Sequence, residues 1–291
     1  MNVFISSSLY PNTSLDYALN KSLTYFGKNI EISAPHNFEN IEILKKTLLK
    51  FKKKKANFIL HNYFPRPKKD FVLNISTSNK NILKKINEHI HSAINLSHFV
   101  DSKIYGIHAG YLADSEANKE GSFVFKGNKN PYKTAIKNSA SLLSKVSEYG
   151  KKKNVKILVE NLFPFNNINN SLFCTFSQIK DFMKEVTNDI GILIDLGHLQ
   201  ISSKFYGLSV EKELDNILNL YSDRIYEVHL SENDCINDLH KSLDKNSWQI
   251  KALKKIKNCS TESDIERKYC LEVRNETTIN GCKSLQILNN L

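Results

Sequence analysis

The sequence predicts an α/β fold, a (β/α)8 TIM barrel built as a single domain over residues 1–291. Three observations carry this. Eight short segments, rich in β-branched residues and almost continuously apolar, alternate with helical segments. Such runs suit parallel strands buried on both faces. Most of the later segments end in a His, Asp or Glu. The length also suits one barrel, since these run to about 250 residues or more. An open doubly wound sheet is disfavoured. No Gly-rich phosphate loop follows the first strand, and the candidate ligands come from six strands, which an open sheet cannot bring to one point.

NVFISSSL forms the first strand, and a helix is expected from Ser14 with Leu15, Ala18, Leu19, Leu23 and Phe26 on one face. NIEISAP, the second strand, carries Glu31 and leads into an amphipathic helix over residues 38–55. NFILHNYF ends in His61 and Asn62 before a long helix over 79–100. KIYGIHAGY supplies His108, VKILVENL supplies Glu160 and Asn161, and GILIDLGH supplies Asp195 and His198. RIYEVHLSEND supplies His229, the NDLH that follows it supplies Asp238 and His240, and KYCLEVRNE supplies Glu272 and Arg274. Three long loops, 62–78, 112–130 and 231–247, follow the third, fourth and seventh strands. They are predicted to form substrate walls and lids on the face where barrels place their chemistry.

The chain carries 41 basic and 30 acidic residues, a net charge of +11. A nucleic-acid partner would account for that excess. However, only four of the basic residues are Arg (66, 224, 267, 274), and base reading favours Arg. The Lys runs at 52–55 and 151–153 fall at predicted helix ends, where they complement the helix dipole. They would face the bottom of the barrel, away from the site, so the excess is read as a solvated surface. No apolar run approaches the roughly 20 residues needed to span a bilayer. No basic stretch followed by a long apolar one opens the chain, so neither membrane nor secretory signal is expected. Five scattered cysteines without a CxxC read as reduced thiols in a cytoplasmic protein.

Nine ligand-type residues recur one strand at a time, five of them His out of nine in the chain. Imidazole nitrogens and carboxylate oxygens are the donors that Zn, Mn and similar ions take. A core of Glu160, Asp195, His229 and Glu272 is predicted to bind one ion, because carboxylates clustered in a barrel mouth are costly without a cation. His61, His108, His198, Asp238 and His240 would complete a second or third. Asp238 and His240 are two apart, so an extended segment would aim both the same way. Glu31 is assigned a supporting role. His36, His89, His91 and His98 are expected to be structural or solvated.

HNYF, GIHAG, VEN, DLGH, VHLSEND, DLH and LEV together resemble the xylose isomerase-like TIM-barrel superfamily over essentially the whole chain. That superfamily includes sugar-phosphate isomerases and epimerases, and also the endonuclease IV repair enzymes of AP endonuclease family 2. The resemblance to the sugar enzymes implies one Mn, Mg or Co ion on Glu160, Asp195, His229 and Glu272, with Glu160 and Glu272 as the proton-moving pair. The resemblance to endonuclease IV implies three Zn ions on all nine positions. Several features depart from the nuclease pattern: DLGH stands for Asp-Thr-Cys-His, HAG for His-Pro-Gly, ISSS for Gly-x-His, and Lys241 for a Glu. The reading is therefore a divalent-metal sugar isomerase or epimerase with one to three ions. Asn62, Asn161 and Arg274 are expected to hold substrate hydroxyls. The alternative is a zinc phosphodiesterase acting on abasic DNA.

Overall fold

A computed structural model of the chain describes residues 2–117, 123–125, 128–259, 266–274 and 276–291. Eight parallel strands close into a barrel. They are β1 (Val3–Ser6), β2 (Asn29–Ile32), β3 (Asn57–His61), β4 (Ile104–His108), β5 (Lys156–Glu160), β6 (Gly191–Asp195), β7 (Ile225–Leu230) and β8 (Lys268–Leu271). Each pairs with its sequence neighbour, and β1 closes on β8 through Val3↔Tyr269 and Ile5↔Leu271.

The helices are α1 (Leu15–Phe26), α2 (Ile41–Lys53), α3 (Lys80–Phe99), α4 (Tyr132–Lys152), α5 (Phe176–Glu185), α6 (Leu196–Tyr206), α7 (Val210–Tyr221), α8 (Trp248–Lys257) and α9 (Thr278–Asn289). The predicted helices over 38–55 and 79–100 are trimmed to α2 and α3, which start one residue after Asn40 and Asn79. Those side chains accept the free amides of Ile43, and of Asn81 and Ile82. Lysines end α2 (Lys50, Lys52, Lys53), α4 (Lys151, Lys152) and α8 (Lys254, Lys255, Lys257). Since βα units place helix C-termini at the bottom of the barrel, the basic runs lie opposite the strand ends. Among the described residues no helix is long and apolar enough to cross a membrane.

Side chains inside the barrel stack in layers. Phe4, Ile59, Leu158, Leu193 and Cys270 form an apolar cluster distinct from the larger core between helices and strands. Two residues further along each strand, the period of a strand's face, come Ser6, His61, Glu160, Asp195 and Glu272. Gly106 occupies the apolar level on β4. A Cβ there would lie 2.7 Å from Leu193 Cδ1 and 3.1 Å from His61 Nδ1, so a side chain at this position would displace the leucine and press on that ring. Between β6 and β7 the register slips, from Ile192↔Ile225 to Leu193↔Glu227. This bulge sets Asp195 beside His229.

Of the long loops, 112–130 carries a hairpin of Ser115–Ala117 with Phe123–Phe125, and part of it lies outside the described residues. Loop 231–247 is pinned by a reciprocal backbone pair, Glu232 N–H to Lys241 O at 2.9 Å and Lys241 N–H to Glu232 O at 2.8 Å. Lys241 thus holds this loop through its backbone.

Candidate metal centre

Strand ends deliver the predicted residues to one place. His61, His108, Glu160 and Asp195 are the last residues of β3 to β6, and Glu272 directly follows β8. Parallel register sets His108 beside Glu160 and Asp195 beside His229. The sixth strand has no loop: Asp195 is itself the N-cap of α6, and its Oδ1 accepts the His198 amide at 2.6 Å. That turn carries His198 back over the mouth.

Glu160 sits at the centre of one half. Its Oε2 lies 3.3 Å from His61 Nε2 and 3.2 Å from His108 Nε2, and its Oε1 lies 3.4 Å from His198 Nδ1. His229 sits at the centre of the other. Its Nδ1 is 3.0 Å from Glu272 Oε2, and its Nε2 is 2.8 Å from Glu31 Oε2 and 3.4 Å from Glu227 Oε1. Asp238 bridges two rings, 3.4 Å from His198 Nε2 and 2.7 Å from His240 Nε2.

Ligand-type atoms within 4.8 Å of one another form four groups among the described residues: Glu31, His61, His229; His61, His108, Glu160; Glu160, Asp195, His198; and Asp195, His229, Glu272. The four core residues thus do not form one group. Asp195 is shared between a group with Glu160 and a group with His229 and Glu272. Asp238 and His240 come together as predicted, but not through an extended segment. His240 has a left-handed backbone (φ 49°), so the two-residue spacing is not what aims them alike.

The donors fit a divalent cation. Glu31, Glu160, Asp195, Glu227 and Glu272 are each at most 2% exposed, and burying such charges uncompensated costs several kcal/mol apiece. Both oxygens of Glu160 and Oδ2 of Asp195 are buried without a hydrogen-bond partner. Two rings are tautomerically fixed. His198 Nδ1–H donates to the Asn161 carbonyl at 2.8 Å, and His240 Nδ1–H donates to the Glu272 carbonyl at 2.9 Å. A carbonyl can only accept, so each Nε2 is left to face Asp238. Backbone carbonyls behind metal-binding imidazoles work in this way.

Electrostatics separate the carboxylates. Burial pushes Glu160 up, but the His61 and His108 rings outweigh it and bring the group down to about 2. Burial raises Asp195 to about 6 and Glu227 to about 7. Burial opposes a charge on His229 as well, yet Glu31, Glu227 and Glu272 hold that ring well above its ordinary value. His198 is likewise raised against burial by Asp195 and Asp238.

A cavity of about 410 Å³ opens over the mouth. Glu160, Glu272, His108 and His198 face it together with Tyr63, Phe71, Phe163 and Phe165, while Asp195, His229, Glu31 and Glu227 lie beneath. The loop 62–78 supplies one wall, as predicted. Asn62 lines the cavity, and its carbonyl accepts from Tyr105 Oη at 2.6 Å. Arg274 lines it too, with its guanidinium on the Glu272 carboxylate.

Asn161 is a correction. It is fully buried, its amide donating to the Asp195 carbonyl at 3.0 Å and accepting the Asp195 N–H at 2.7 Å. It holds the strand end, and it does not line the cavity where a substrate hydroxyl would sit. Sequence reasoning also missed Glu227, an inward carboxylate whose signal was its place two residues before His229, and it underweighted Glu31.

The first strand contributes no ligand. Ser7 Oγ bonds His36 Nε2 at 2.8 Å, so that ring is structural, and burial lowers it to about 4. His89 is also structural, 3.1 Å from the Asn62 carbonyl.

The model of the xylose isomerase-like TIM barrel family matches residues 30–257. The chain belongs to this family. A curated relative, an uncharacterized protein of Methanocaldococcus jannaschii, is 23% identical over 218 residues, 74% of this chain but only 65% of that protein. Among solved structures, a D-tagatose 3-epimerase-like protein superposes with a TM-score of 0.75 at 20% identity, covering 100% of this chain and 96% of the other. The 3-keto-D-glucoside 4-epimerase of E. coli superposes with a TM-score of 0.67 at 12% identity, covering 100% of both. At these identities the likeness is one of fold. This xylose isomerase-like barrel also extends past the matched span, where β8 adds Glu272.

Proposed function

We propose that this barrel is a divalent-metal-dependent isomerase or epimerase of a small sugar or sugar derivative. One observation carries the reading. Of the four core residues, only Glu160 and Glu272 face the cavity, and they come from strands three places apart in the barrel, flanking Asp195 and His229. Glu160, Asp195, His229 and Glu272 would hold the ion. Bound there, a divalent cation supplies Lewis-acid polarisation of a substrate carbonyl.

The chain's own residues would do the rest. One of Glu160 and Glu272 removes the proton from the carbon beside the carbonyl, leaving an enediolate. The same residue, now protonated, or the other once it has taken a proton from solvent, returns a proton to the neighbouring carbon or to the opposite face. Approach from two sides of the barrel suits a change of configuration. Arg274 fixes the Glu272 carboxylate, and the aromatic wall of Tyr63, Phe71 and Phe163 shields the carbanionic stage from water. The epimerases with this fold support the reading.

A second reading, zinc-dependent cleavage of abasic DNA, is favoured by the His198–Asp238–His240 chain, which completes the nine-position set around the mouth. Against it, both arginines lining the cavity are engaged by carboxylates, Arg66 by Asp70 at 2.6 Å and Arg274 by Glu272. A phosphodiester needs cations free to meet it.

The test runs ketose substrates in deuterated solvent and, in parallel, nicks abasic duplex DNA. Solvent deuterium entering a ketose, abolished by Glu160→Gln or Glu272→Gln, is expected. Abasic-site nicking with about three Zn per chain, and no exchange, would replace this reading with the nuclease.

A further inference from the structure

We propose that Glu227 and Glu31 are positioning residues for His229, holding its Nε2 proton so that Nδ1 is the nitrogen presented to the cation. The inference rests on the metal reading above.

The geometry starts from the layers inside the barrel. Directly beneath the ligand level the strands carry Ile59, Gly106, Leu158, Leu193 and Cys270, all uncharged. On β7 that level is Glu227, two residues before His229 on the same face. Its Oε1 accepts the His229 Nε2–H at 3.4 Å. Glu31, from β2 on the other side of the barrel, brings Oε2 to 2.8 Å of the same nitrogen. Both carboxylates are at most 1% exposed, and neither faces the cavity, so substrate cannot touch them. Neither Glu31 oxygen is hydrogen-bonded, so its contact with His229 Nε2 is an ion-pair one, while the hydrogen bond at that nitrogen goes to Glu227. Their shared neighbour is the ring of His229.

An imidazole offers one lone pair when neutral. Here the two ring nitrogens have different surroundings. Nδ1 is hydrogen-bonded to Glu272 Oε2 at 3.0 Å, but that carboxylate belongs with Asp195 to the same upper group and would share the cation with the ring. Nε2 faces two carboxylates that lie below the mouth. A carboxylate accepting one ring N–H fixes the tautomer, orients the ring and makes the other nitrogen a better donor. The alternative occupant of the lower position is a further ion on Glu31, His61 and His229, a group whose atoms lie within 4.8 Å. An ion there would need the His229 lone pair that the upper group also uses, so one ring cannot serve both while it keeps a proton.

The experiment titrates metal-free protein with Co²⁺, following the visible absorption of the bound ion, in the wild type and in Glu227→Ala, Glu227→Gln, Glu31→Ala and Glu31→Gln. Ring nitrogen resonances of His229 are recorded in Zn²⁺-loaded wild type. Each alanine variant is expected to bind Co²⁺ roughly 10–100-fold more weakly at unchanged stoichiometry. The glutamine variants should lose less than their alanine counterparts, because an amide oxygen still accepts Nε2–H. His229 should carry its proton on Nε2 in the loaded wild type.

Wild-type affinity in both alanine variants would overturn the inference while leaving the metal reading intact. So would the loss of one whole ion, which would mark the lower position as a cation site. A proton on Nδ1 in the loaded wild type would also overturn it, and that result needs no folded variant. Wild type that binds no Co²⁺ would bring down the metal reading and this inference together.

Discussion

The two ends of the barrel show how differently charge behaves in two surroundings. At the bottom, Lys52, Lys151 and Lys255 sit in the last turns of helices and pair with Asp101, Asp189 and Asp215 at 2.5–2.7 Å. These groups are largely solvated, and such pairs contribute about 0–1 kcal/mol each. At the mouth, five buried carboxylates and five buried or half-buried rings crowd together with several oxygens unpartnered. There each charge needs a specific counter-charge. The chain's excess of +11 therefore describes its outer surface, while its site is acidic. Net charge informs about the first end and misleads about the second.

Removing a proton carrier at the mouth should have the largest effect. Glu160→Gln or Glu272→Gln is expected to lower exchange of solvent deuterium into a ketose by on the order of 10²–10⁴-fold. Circular dichroism should show the fold unchanged. Equal exchange in variant and wild type would remove both residues from the chemistry.

Next in size is an acid effect at His36, behind the strand end that supplies no ligand. Its folded pKa, about 4, lies below the 6.5 of the unfolded chain. The unfolded chain therefore takes up the proton first. The stability is fully present above 6.5 and is lost as pH falls from 6.5 to 4, by about 3 kcal/mol. Urea unfolding of wild type and His36→Gln across this range checks it. The difference between the two should close as pH falls, and a constant difference would contradict the assignment.

Cation binding to the folded mouth should stabilise the protein by about 2.7 kcal/mol at a hundredfold excess over Kd. Thermal melts with chelator and with Zn²⁺ or Mn²⁺ read this as a rise of several degrees. Asp195→Asn should shrink the rise. At the bottom, Lys52→Ala, Lys151→Ala and Lys255→Ala should each cost under about 1 kcal/mol and leave exchange activity unchanged. A large loss from any of them would erase the contrast between the two ends.

Much of this was legible in the sequence because period-2 and strand-end rules are local. Apolar β-branched runs marked all eight strands, and His61, His108, Glu160 and Asp195 followed as terminal residues, with Glu272 one residue past the last strand. What depends on register and loops was not legible. The bulge that sets Asp195 beside His229 has no signature in IYEVHL, and the left-handed His240 defeats a spacing argument about Asp238. Asn161 looked available because it adjoins a ligand, but a side-chain amide beside a strand end can equally clamp the next strand. Glu227 was overlooked although it shares a strand face with His229. An acidic residue two before a ligand His is the signal that would have found it.

Elemental analysis of the protein after loading with Mn²⁺ or Zn²⁺ and removal of free ion tests the central claim most directly. At least one ion per chain is predicted for the wild type, with loss of that ion when Asp195 and Glu272 are both replaced by their amides. Wild-type protein that retains less than a tenth of an ion per chain would contradict the account.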